Sequence, residues 1–162
     1  MDLSTLGRVP PQAIEAEQSV IGSILLEPSV YEDVTEILPS EEFYREDHKE
    51  IFAAIEELYK TDSTIDILTV SDVLKKRGTL EQVSGLEYLS EIASRVPTTA
   101  NVKHYADIVH DKFMLRSMIR TSSAILDTCY SESEPVENII QMAETQILKV
   151  NEAKVLLESN KS

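Results

Sequence analysis

Residues 101–129 read NVKHYADIVHDKFMLRSMIRTSSAILDTC, a stretch without proline or glycine that predicts one long helix. Just upstream, Thr98-Thr99-Ala100-Asn101 follows Pro97 and supplies N-cap chemistry. The apolar face of this helix turns along its length. At about 100° per residue, Val102, Tyr105, Ala106, Val109 and Phe113 cluster on one side. Met114, Leu115, Met118, Ile119, Ile125 and Leu126 centre roughly half a turn away. The first set can dock on what precedes it, so the second needs another cover. Downstream, Ser131-Glu132-Ser133-Glu134-Pro135 reads as a turn, and Val136, Ile139, Ile140, Ala143, Ile147 and Val150 fall on one stripe of a last helix. The two segments make a helical hairpin. One narrow stripe covers only part of the apolar surface between Met114 and Leu126, and the remainder points to oligomerisation or partner docking.

Upstream, helical periodicity recurs in shorter runs. Ala13, Ala16, Val20, Ile21, Ile24 and Leu25 share one face of a first helix that ends before Pro28. Gly22 inside it costs roughly 1 kcal/mol relative to Ala and is read as the close approach of another helix. Ser29 and Glu32 have capping-box spacing, which predicts a short helix running toward Pro39. Over residues 45–60, His48, Ile51, Phe52, Ile55, Leu58 and Tyr59 form a clean amphipathic stripe. Short helices also fit residues 69–77, stopped by Gly78, and residues 85–96, started by a Ser84/Glu87 capping box. No stretch alternates with period 2, so no sheet is expected. The predicted fold is all-α: a small orthogonal helical globule followed by a long helical hairpin.

The chain has 162 residues, and its 42% hydrophobic and 27% charged content is enough for one buried core. No apolar run approaches the roughly 20 residues that a bilayer crossing requires, and the N-terminus lacks a secretory pattern, so a cytoplasmic protein is expected. Cys129 is the single cysteine, which excludes an internal disulfide and reads as a small core residue. The formal net charge is −14, and residues 1–100 hold 20 acidic against 8 basic side chains. Such an acidic surface opposes direct binding to a nucleic-acid backbone, and partners are expected to be proteins.

Catalytic chemistry is sparse. Glycines at 7, 22, 78 and 85 are too scattered for a phosphate-binding loop. His104, Asp107, His110 and Asp111 share a helix, yet they do not match H-E-x-x-H and no second cluster completes a metal site, so a surface or capping role is expected. His48 reads as a hydrogen-bonded core histidine, and Glu41-Glu42 and Glu56-Glu57 as solvated faces. A helix-turn-helix over residues 66–96 would use Lys75-Lys76-Arg77 on phosphates, but three basic residues at a helix end equally complement its dipole. Nothing pairs a nucleophile with a base, so neither enzymatic activity, cofactor nor metal is expected of this chain.

Ala16-Glu17-Gln18-Ser19-Val20-Ile21-Gly22, Phe43-Tyr44 with His48 and Ile51-Phe52, Ile65-Asp66, Tyr88-Leu89, and Asn101 with Tyr105-Ala106-Asp107-Ile108-Val109 occur in that order. Together they resemble the N-terminal domain of DnaB-type bacterial replicative helicases, over residues 9–150. Ser84-Gly85 departs from the paired glycines of that pattern, which alters a turn. The resemblance implies a hexameric parent that unwinds DNA at the replication fork, moving 5′ to 3′, with ATP and Mg²⁺ in a separate RecA-like motor domain C-terminal to this one. It implies a collar built from dimers of hairpins arranged as a trimer of dimers, which also receives the helicase-binding domain of primase. A helicase loader is a further candidate partner. The corresponding division is a disordered arm at 1–12, a globular head at 13–97, a hairpin at 98–151 and the start of an interdomain linker at 152–162.

Interface candidates are Met114, Met118, Ile119 and Ile125, which face away from the globule-facing stripe. Tyr88 joins them because it lies well around its helix from Leu86, Leu89, Ala93 and Val96. For each, the plainer alternative is internal core. Two other functional classes stand beside the collar: an independent helical adaptor such as a primase helicase-binding domain, and a metal-dependent phosphohydrolase on a helical bundle.

Overall fold

The computed structural model describes residues 7–81 and 85–160, with side chains described as far as Asn151 apart from residues 82–84. All regular structure among them is helical: α1 (Ile14–Leu26), α2 (Tyr31–Thr35), α3 (Glu46–Lys60), α4 (Ile67–Arg77), α5 (Gly85–Arg95), α6 (Val102–Ser131) and α7 (Val136–Asn160). Single 3-10 turns occupy Pro28–Val30 and Ser40–Glu42. No described helix is long and apolar enough to cross a membrane.

Helix starts follow local chemistry, though not always the predicted one. The Ser29/Glu32 capping box does not form. Pro28, whose ring fixes φ, opens a 3-10 turn, and Val30 takes the N-cap position of α2 without a side-chain cap. A capping box does form at α4, where Asp66 accepts from Thr69 N at 2.8 Å and Asp66 N donates to the Thr69 hydroxyl at 2.9 Å. It starts α4 at Ile67, ahead of the expected Thr69. Gly78 closes α4 with φ +73°, a left-handed cap that glycine adopts without a Cβ penalty. The Ser84/Glu87 box lies outside the described residues.

The chain divides into two compact units, one of residues 12–110 and one of residues 1–11 with 111–162. In the first, α1 packs on α5 and α3, and α3 on α4, around a core that includes Ile21, Ile24, Phe43, Phe52, Ile55, Leu74, Leu89 and Ile92. The start of α6 joins this core through Val102, Ala106 and Val109, so the division falls inside α6. Gly22 permits the α1–α5 approach: a Cβ built there would lie 2.6 Å from Val96 Cγ2 and 2.7 Å from the Ile92 carbonyl oxygen.

Two buried histidines organise the polar interior of this unit. His48 Nδ1 lies 2.7 Å from Glu17 Oε1, and its Nε2 lies 2.7 Å from the Tyr88 hydroxyl. Glu17 also accepts from Tyr44 N at 2.7 Å, just ahead of α3, so a carboxylate on α1 fixes where α3 begins. His110 is buried, not at the surface as expected, with Nδ1 2.6 Å from Glu42 Oε1. Glu42 is likewise buried, whereas Glu41 is exposed. The reason is register: His110 follows Ala106 by four positions, which puts it over the core-facing side of α6.

In the second unit, no hydrophobic side chain among the described residues is fully buried; the apolar core ends at Val109. On α7, Ile139, Met142, Ala143, Gln146 and Val150 are half-buried, while Val136, Ile140, Ile147 and Leu148 are exposed. The predicted single stripe is thus split, with its covered part centred nearer Ala143. Helix α7 runs to Asn160, so residues 152–160 are helical. The turn before it places Glu132 at φ +48°. Cys129, expected in a core, is exposed.

Candidate functional site

The second unit carries a groove of about 740 Å³. Its helical side is Leu115, Met118, Ile119, Ser122, Ser123 and Leu126 of α6, and its other wall is residues 8–11. Leu115 and Leu126 are about half exposed, 50% and 53%, which for leucines on one helix face marks an uncovered surface. Helical spacing generates this face, since 115, 119, 122 and 126 recur at three and four residues.

One end of this wall is held by a side chain of α6, through the Pro11 carbonyl. Arg116, only 2% exposed, donates from Nη1 to the Pro11 carbonyl at 2.8 Å, and its guanidinium carbon stands 5.8 Å from the centre of the Phe113 ring. A guanidinium taken out of water needs acceptors, and a proline carbonyl in a segment without regular structure is free to supply one. Val9 remains 79% exposed on this wall.

Of the five candidate residues, Met118 and Ile119 line the groove. Met114 and Ile125 are half-buried on α6 and do not line it. Tyr88 sits in the other unit, where its hydroxyl bonds His48 and accepts from Gln18 Nε2 at 3.1 Å, its ring stacks on His48 at 5.9 Å, and Arg45 lies 5.4 Å over it. Burial raises the Tyr88 pKa above its ordinary value, while the Gln18 hydrogen bond and the Arg45 charge oppose that rise. Leu115 and Leu126 were legible on the same helix face as Met118. Residues 8–11 and Arg116 were not, because no periodicity links an irregular segment to a helix far along the chain.

Among the described residues, no group of three His, Cys, Asp or Glu is placed to hold a metal ion. The basic end of α4 is engaged with acids: Arg77 lies 3.5 Å from Glu57, and Lys76 lies 3.5 Å from Asp72. The arrangement offers apolar area, not reactive groups.

Comparisons with known proteins identify the family. The family model described as DnaB-like helicase N terminal domain matches residues 9–111. The replicative DNA helicase DnaB of Geobacillus stearothermophilus is 40% identical over 147 residues, covering 91% of this chain and 32% of that protein. The replicative DNA helicase DnaC of Bacillus subtilis is 41% identical with the same coverages. The chain therefore spans about a third of the length of these relatives. Among solved structures, the N-terminal domain of DnaB helicase from Mycobacterium tuberculosis superposes with a TM-score of 0.83 and 36% identity, over 87% of this chain and 99% of that one. A DnaB-like replicative helicase, described with its interactions with primase, gives a TM-score of 0.71 and 25% identity over 85% of this chain and 31% of that one. With the all-helical architecture and the family match over most of its length, the chain belongs to the DnaB-like helicase N-terminal domain family.

Proposed function

We propose that this chain is the assembly and primase-docking domain, the collar, of a hexameric replicative helicase. The observation that carries the reading is the uncovered apolar face of the second unit: Leu115, Met118 and Leu126 on α6, and Ile140, Ile147 and Leu148 on α7, are all exposed. A folded unit that keeps so many large apolar side chains in water is built to bury them against other chains. In this reading the parent's ATP, Mg²⁺ and 5′-to-3′ translocation belong to its motor domain, and this domain contributes self-association and a seat for primase. Support for the primase partner is the similar helicase described with its interactions with primase.

Light scattering coupled to gel filtration tests it, on this chain alone and mixed with the helicase-binding domain of its primase. A concentration-dependent oligomer and a co-eluting complex are expected. A chain that stays monomeric and leaves the primase domain unbound would overturn the reading.

A further inference from the structure

We draw no further inference here: the strongest candidate, the buried pair of His110 on α6 and Glu42 in the Ser40–Glu42 turn, leaves His110 Nε2 without a hydrogen-bond partner among the described residues, but nothing in the structure shows what that nitrogen would bind, since no group of three His, Cys, Asp or Glu among those residues is placed to hold a metal ion.

Discussion

His48 Nδ1 lies 2.7 Å from a carboxylate oxygen of Glu17, with both side chains essentially out of solvent. With the proton on Nδ1, the ring donates to Glu17 and accepts the Tyr88 hydroxyl on Nε2, while the Tyr88 oxygen accepts from Gln18. One chain of bonds thereby ties α1, α3 and α5 together. Because a buried polar network is stable only when every member is satisfied, its members are sensitive points of the globule.

Glu17→Gln should destabilise the globule by about 2–4 kcal/mol, since it removes a buried charge that accepts from both His48 and Tyr44 N and turns an amide toward one of those donors. Urea unfolding followed by circular dichroism measures it. A loss below about 0.5 kcal/mol would show that the carboxylate is not what holds the start of α3.

Gly22→Ala should also destabilise, by about 1–3 kcal/mol, although alanine is the better helix former by roughly 1 kcal/mol. The added Cβ meets a backbone oxygen, Ile92 O, at 2.7 Å, and backbone cannot rotate away as a side-chain tip can. A thermal midpoint that rises would mean that α5 shifts freely.

Tyr88→Phe should cost about 1–2 kcal/mol near neutral pH by deleting two hydrogen bonds. It should also change the alkaline limb. The folded-state pKa of Tyr88 is raised above the ordinary value of 10.0, chiefly by burial, so folding favours the protonated hydroxyl. That contribution is complete below pH 10 and is lost as pH rises through the raised value. Unfolding free energy of the wild type should therefore fall with pH in this range, and less steeply in the variant. Tyr31, raised by burial, and Tyr59, raised by its bond to Glu32, should keep some slope in both.

Ile119→Asp should weaken self-association and primase binding by about tenfold or more while leaving helical content unchanged, because Ile119 lines the groove and is only half-buried. Leu115→Asp, at a more exposed position of the same face, should behave alike. Loss of the helical signal in both variants would identify these side chains as support for the fold.

Much of this architecture was legible in local pattern. The apolar spacing of residues 45–60 predicted α3, the proline-free run from Asn101 predicted α6, and Gly78 marked the end of α4, because each depends on neighbours within a few positions. Helix starts were read less well. Ser29 and Glu32 had capping-box spacing, but Pro28 had already set a 3-10 turn; Asp66 and Thr69 formed a box that lacks the usual Glu or Gln at its third position.

The sequence by itself determined the family, the all-α class, the change of apolar face along α6 and the absence of a nucleotide-binding motif, since these are properties of order and period. Only the tertiary structure decided which charged groups are buried and with whom. Glu42 meets His110 across 68 positions, Arg116 meets Pro11 across 105, and Glu17 meets His48 across 31. The physical reason is that burying a charge is costly unless a partner is supplied, and that partner is chosen by packing in space, which no spacing along the chain reveals.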